Sequence, residues 1–315
     1  MSAESVELSP PEVNQKVIEA LSSGATIRFG EYVVDGEKMW ASPFLTVSKL
    51  TFKSGAKITF DHEVTRKNRN LFIFADEIVS EDQEHIGTIG WIDLPPSVPV
   101  APGMGQSGAD MAAQESIAGG TGGPGPIGRT GEDGMSAPSL TILTKKLGGG
   151  LQINLRGEDG GSGGPGGNGG TGGQGGHGTP ASQTMFDCRR GAGDGGPGGA
   201  GGAGGAGGDG GRGGNGGTFT LITSADSAAE TSRLLLVDVS GGQGGAAGPG
   251  GKGGPGGQGG PGAQEALPYC HGNGNAGATG PAGQDASMGS AGATGNPGAY
   301  YFGGLQAADM AKALP

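Results

Sequence analysis

Aromatic residues are scarce in this chain: there are fifteen among 315 residues, and nine of them fall before position 100. Beyond that point no conventional hydrophobic core can be assembled, so whatever order exists there must come from backbone pairing and repetition. Cysteine is nearly absent, and two residues are too few for a disulfide framework. No run of about 18 apolar residues occurs, which excludes an apolar spanning helix. The start, Met1-Ser-Ala-Glu-Ser-Val-Glu, has neither a basic stretch nor an apolar one, so a soluble protein without membrane insertion or a secretory signal is expected. Positive charge is in deficit as well. The net charge of -11 argues against nucleic acid as a partner.

Glycine fills the space those residues leave. There are 77, of which only Gly24, Gly30, Gly36, Gly55, Gly87 and Gly90 precede position 100. From Gly157 to Gly178 glycine recurs at every third position, followed by a second glycine in all triplets but the first, while the third place holds Asp159, Ser162, Pro165, Asn168, Thr171, Gln174 and His177. A period of three matches neither the 3.6-residue helix nor the two-residue strand. It matches the extended threefold polyglycine-II helix, which has no internal hydrogen bonds and tolerates proline. The same frame returns at 193–217 and at 241–262, where Ala247 is its one slip. A disordered linker would have no reason to keep phase.

The order along the chain reads as rods running out and back. Residues 157–178 go out, 179–192 form a loop and 193–217 return; 241–262 go out, 263–273 form a loop and 274–298 return. A shorter pair runs out through Gly103, Gly105 and Gly108, turns at 111–118 and returns from Gly119 to Gly134. Eight triplets span on the order of 75 Å at the threefold rise, and matched lengths suit antiparallel rod hairpins. Rods with two glycine stripes (157–178, 193–217, 241–262) should be interior. The last rod, with one stripe interrupted at Ala286, and 119–134 should lie at edges.

Ahead of the rods, Ser9-Pro10-Pro11-Glu12 followed by Val13, Val17, Ile18 and Leu21 predicts a helix ending at Gly24. Strands are predicted at 25–29, 46–52, 56–60, 70–79 and 86–92, with Lys53-Ser54-Gly55 as a hairpin turn. Leu94 to Val100, with three prolines, reads as a stiff connector. Strand pairs 139–144 with 151–155 and 218–223 with 233–239 separate the rods. The expected fold is therefore mostly β plus polyglycine-II: an N-terminal helix (1–24), a β-rich platform (25–100) and a glycine-rich part (101–315), with about six antiparallel threefold rods.

Catalytic signatures are missing. G-x-G-x-x-G carries no information inside a G-G-X rod, and Gly251-Lys252-Gly253 lacks the hydroxyl residue of a phosphate loop. No nucleophile, base and oxyanion donor can be assembled, so no enzyme activity and no cofactor is expected; His62, His85 and Asp61 read as surface polar residues. Asp194, Asp209 and Glu158-Asp159 read as solvated acids, and the run Lys49, Lys53, Lys57, Arg66, Lys67, Arg69 as a solvated strand face. Cys188 and Cys270 fall in two distal loops at one end, where they form either a disulfide or two free thiols; with His271 and His177 they lack standard metal spacing. The same loops carry Met185, Phe186, Arg189, Arg190, Leu267, Tyr269 and His271. These either bind a partner or cap the rods.

Stretches such as Gly163-Gly-Pro-Gly-Gly-Asn-Gly-Gly-Thr-Gly-Gly-Gln resemble the rods of polyglycine-II proteins: phage long-tail-fibre tip adhesins, glycine-rich springtail antifreeze proteins and glycine-rich collagen-like bacterial proteins. The resemblance covers about residues 103–300. In the adhesins it implies a sandwich of such helices whose distal loops recognise a host receptor, protein or glycan. Residues 1–100 would then attach to a larger fibre or assembly, in a virion or extracellular setting, or otherwise in the cytoplasm. A structural spacer and an ice-binding protein are the alternatives.

Overall fold

A computed structural model describes residues 5–7, 29–91, 103, 105–110, 115–264, 267–306 and 308–310. The helix expected at 9–24 and the connector at 94–100 lie outside the described residues. Fourteen strands are present among the described residues: β1 (Ser5–Glu7), β2 (Phe29–Val34), β3 (Glu37–Trp40), β4 (Phe44–Phe52), β5 (Lys57–Phe60), β6 (Asn70–Ser80), β7 (Gly87–Trp91), β8 (Ser139–Gly148), β9 (Leu151–Asn154), β10 (Ser182–Gln183), β11 (Cys188–Arg190), β12 (Phe219–Ser224), β13 (Leu235–Asp238) and β14 (Tyr300–Leu305). Two six-residue helices accompany them, α1 (His62–Lys67) and α2 (Ala228–Arg233).

Two large sheets organise the molecule. One has seven strands in the order β1-β14-β12-β8-β6-β4-β2, the other five in the order β13-β9-β7-β5-β3, and every pairing in both is parallel. Successive coils each give one strand to each sheet (β2/β3, β4/β5, β6/β7, β8/β9, β12/β13), which is the winding of a two-sheet parallel solenoid. Like residues therefore stack in rows. Leu71, Leu140 and Phe219 pair across three strands, as do Ile73, Ile142 and Leu221, while Ile58, Ile89 and Ile153 face them from the other sheet. All nine are buried. At about 1.5–3 kcal/mol for each large apolar side chain, these rows are the main source of the sheets' stability.

This topology overturns the expected β platform carrying a bundle of about six antiparallel rods. The alternation in β4 and β5 was a sound signal for strands, but period two says nothing about direction. Lys53-Ser54-Gly55 is a corner, with Gly55 at φ +64°, and leads from β4 in one sheet to β5 in the other. The supposed pairs 139–144/151–155 and 218–223/233–239 also belong to different sheets; Gly149, at φ +84°, makes the first of these corners. Short glycine links signal a chain reversal and a sheet-to-sheet corner equally well, because both need the left-handed backbone conformation. Strands on either side of residue 100 share both sheets.

The glycine segments are insertions into this solenoid. Each leaves the smaller sheet after β7, β9 or β13 and returns to the larger at β8, β12 or β14. We label them s1 (105–110), s2 (117–137), s3 (157–178), s4 (193–217), s5 (239–263) and s6 (274–298). Within a layer neighbours run parallel: Gly160, Gly163 and Gly166 of s3 donate to the carbonyls of Gln243, Ala246 and Pro249 of s5, and Gly198 and Gly201 of s4 to Ala278 and Pro281 of s6. Between layers they run oppositely, with Gly196, Gly199 and Gly202 donating to Gly176, Gly173 and Gly170. Layer s1-s3-s5 extends the smaller sheet and layer s2-s4-s6 the larger. Trp91, Ala137, Leu155 and Val239 are the last side chains of the shared core. From there Gly217 N–H reaches the Leu155 carbonyl directly at 2.8 Å. Side chains hold packed sheets about 10 Å apart; without them the two layers close into direct hydrogen bonding.

Candidate functional site: the distal hairpin

The far end of the glycine layers carries an antiparallel hairpin, β10 with β11, the one antiparallel strand pair among the described residues. Its turn is built by Thr184, whose N–H donates to the Asp187 carbonyl at 2.8 Å and whose hydroxyl accepts from Asp187 N–H at 3.0 Å. This places Met185 and Phe186 at the tip, 79% and 82% exposed. The second loop docks alongside: Tyr269 N–H donates to Gln183 Oε1 at 3.0 Å, and Cys270 is joined to Cys188 by a disulfide with the Cα atoms 4.9 Å apart. Cys270 Sγ also lies 3.4 Å from the Ser182 and Arg190 carbonyls, but a disulfide sulfur has no proton to donate, so these are packing contacts.

The other sequence-predicted residues distribute around this hairpin. Tyr269 is 48% exposed, Leu267 is half-buried, and Arg189 and His271 are exposed. Arg190 is exposed as well, though its Nη2 donates to the Pro180 carbonyl at 3.1 Å, which leaves Arg189 the less constrained cation. The third turn lies close by. Ser116 Oγ donates to the Asp194 carbonyl at 2.8 Å, and Ile117, half-exposed, accepts from Gly176 N–H. Residues 111–114, 265 and 266 of the predicted loops are outside the described residues. The surface thus offers apolar tips, an aromatic ring and guanidinium groups in one place, with backbone held by the turn and the disulfide. It has the make-up of a contact surface.

Elsewhere the polar residues are structural. Asp61 caps α1 by accepting from Glu63 N–H at 2.7 Å. The Ser54 hydroxyl, donating at 2.6 Å, and then the backbone N–H groups of Glu84 and His85 hold the Asp82 carboxyl well below the usual carboxylate range. His85 Nδ1 lies 3.1 Å from Asp82 Oδ2, and His62 Nε2 lies 4.0 Å from Glu158 Oε1. The lysines of the basic run meet acids: Lys53 with Glu81 at 3.2 Å, Lys57 with Glu37 at 3.3 Å, Lys67 with Glu63 at 3.4 Å and Lys49 with Glu31 at 3.8 Å. No group of three or more potential metal-ligating side chains occurs among the described residues.

The acids of the glycine segments are not merely solvated. Asp159, Asp194 and Asp209 accept from the backbone N–H groups of Gln243, Asn275 and Ser290 on the next segment of the same layer, at 2.6–2.7 Å. Asn168 and Asn215 do the same for Lys252 and Asn296. Glu158 is buried and accepts from Met135 N–H at 2.9 Å. Sequence reading missed this because a short Asp or Asn side chain in a repeat looks the same whether it meets water or a neighbouring N–H. The clue was their placement, always at the non-glycine position, where the N–H of the adjacent segment has no carbonyl partner.

No protein-family model matches the chain, and no curated protein matches it. Among solved structures, a nine polyproline type II helical bundle springtail antifreeze protein from Granisotoma rainieri is 26% identical over 57% of this chain and 94% of that one, with a TM-score of 0.07. At that score the backbones do not superpose, and the likeness carries no argument about fold or function. No helix among the described residues is long and apolar enough to cross a membrane.

Proposed function

We propose that the protein is a non-catalytic binding protein of adhesin type, which presents the distal hairpin and its docked loop to a cell-surface receptor. The observation that supports this reading is the exposed pair Met185 and Phe186 at the tip of a hairpin whose turn is hydrogen-bonded and whose base is disulfide-tied. Apolar side chains displayed on a constrained backbone lose little conformational entropy on binding, and aromatic and arginine residues concentrate where binding energy does. The glycine layers then act as a stiff stalk. Among the described residues β2 and β3 are the edge strands on the side of the sheets away from β12 and β13, with Val33 and Met39 exposed, and this edge attaches to the larger assembly.

The test is adsorption of purified protein to whole cells across a panel of bacterial strains. Strain-dependent adsorption should fall at least tenfold in a Met185→Ser/Phe186→Ser variant whose melting is unchanged. Equal adsorption of variant and parent, or adsorption to no strain, would defeat the reading. A spacer role would leave the variant fully active, and an ice-binding role would appear as thermal hysteresis in the parent.

A further inference from the structure

The outer face of the larger sheet carries a groove that shares no lining residue with the hairpin. Its volume is about 520 Å³, and its floor crosses the strands through Phe44 of β4, Phe72 of β6, Thr141 of β8 and Thr220 of β12. These four occupy one register row, since Phe44 pairs with Phe72, Phe72 with Thr141 and Thr141 with Thr220. Parallel strands repeat about every 4.8 Å, so the row sets two rings and then two hydroxyls at regular steps along the solenoid axis. The Phe44 and Phe72 rings are stacked, 5.4 Å between centroids and 10° from coplanar.

Three features define what such a groove accepts. The aromatic pair offers apolar surface to one side of a ligand. The remaining polar lining is mostly neutral, and the hydroxyls of Ser139, Thr141 and Thr220 have no hydrogen-bond partner among the described residues; Thr220 lines the groove although the residue is only 2% exposed. These oxygens open onto the groove, where a ligand that both donates and accepts can engage them. The one charged residue lining the groove, Arg69, turns its guanidinium onto the Ser136 and Ala137 carbonyls at 2.5 and 2.8 Å, so the groove is not built around an anion. A pyranose ring has an apolar C–H face and a rim of hydroxyls, and a linear chain of them repeats these at regular steps.

We infer that this groove binds a neutral, linear carbohydrate chain lying across strands β4, β6, β8 and β12, at a site separate from the distal hairpin. The probes are neutral linear hexasaccharides of glucose (β1,4- and α1,4-linked), mannose and N-acetylglucosamine, titrated calorimetrically into the intact protein. At least one should bind saturably, and Thr141→Val/Thr220→Val, which deletes two hydroxyls at nearly constant shape, should weaken it at least tenfold without altering the melt. Phe44→Ala, at a half-exposed ring, should do likewise if the double variant misfolds. Phe186→Ala at the hairpin should leave sugar binding unchanged. Failure of all four sugars to bind, or equal binding by the groove variants, overturns the inference, and neither result bears on adsorption through the hairpin.

Discussion

At the scale of single residues, one hydroxyl among the described residues is both shut away from solvent and without a partner. Tyr300 stacks on Phe219 with ring centroids 5.3 Å apart, and its oxygen is buried with no hydrogen bond among the described residues. Burial pushes its pKa up to about 12 from 10.0, because the phenolate would have to form away from water. The sign follows directly. Below pH 10 both the folded and unfolded chains keep the proton and Tyr300 contributes no pH dependence. Between pH 10 and 12 the unfolded chain ionises first, so stability falls as pH rises. Tyr300→Phe should therefore flatten the alkaline loss of stability. At neutral pH it should stabilise by about 1 kcal/mol, since the buried unpaired hydroxyl disappears. Urea melts of both proteins at pH 7 and pH 11 check this; a variant less stable at pH 7 with an unchanged alkaline slope would contradict it.

At the scale of elements, each glycine stripe records a neighbour. In s4 the second glycine of every triplet faces s2, and a Cβ on Gly202 would overlap the Gly123 carbonyl, whereas Ala203 beside it is exposed. Gly202→Ala should cost at least about 3 kcal/mol, the upper range for overpacking a rigid interior, because backbone cannot yield as a side-chain tip does. Ala203→Gly should cost only about 0.5–1 kcal/mol, through the added freedom of the unfolded chain. Comparable melting shifts for the two would mean the stripe is not a contact. The same logic shows what was legible in the sequence. Phase and stripe count were readable, because a neighbouring segment's carbonyl, 2.0 Å from where a Cβ on Gly202 would stand, forbids any side chain, and s6 with its single stripe lies at a layer end. The edge assignment of s2 shows it residue by residue: Gly120 and Gly123 stand where s1 runs alongside, then Pro126, Arg129, Glu132 and Met135 follow beyond its described part. Segment s5 also ends a layer despite two stripes, since one faces s6 and the other s3. Strand direction was not legible, for parallel and antiparallel pairing share the same alternation. The groove was not legible either: Phe44, Phe72, Thr141 and Thr220 are scattered over 177 positions and meet only through the solenoid register.

At the scale of the whole molecule, one hydrogen-bond system runs from the side-chain-cored sheets to the distal hairpin. Leu151 and Leu155 of the β9 strand region donate to Leu234 and Asp238, Gly157 continues to Ser240, and the ladder proceeds by threes to Gly178 and Pro261. No apolar core divides along it, so the glycine layers should melt together with the sheets. The disulfide is the covalent tie at the far end. Cys188 and Cys270 lie 82 positions apart and join the insertion s3–s4 to the insertion s5–s6, so they restrict the unfolded chain more than they reshape an already hydrogen-bonded native one. For a loop of that length the chain-entropy estimate is about 4–5 kcal/mol, and native disulfides in practice contribute about 2–5. Cys188→Ser/Cys270→Ser should therefore lower the global unfolding free energy by roughly 2–4 kcal/mol. Amide exchange should keep the strand residues of β6 and β8 the most protected, with residues 182–190 opening first, because the hairpin then keeps two short strands, the Thr184 turn and the single side-chain bonds of Gln183 and Arg190. Loss of adsorption in that variant with the sheets still folded would locate the binding surface in the tied hairpin. An unchanged denaturation midpoint on reduction would mean that the two layers alone hold the distal loops together.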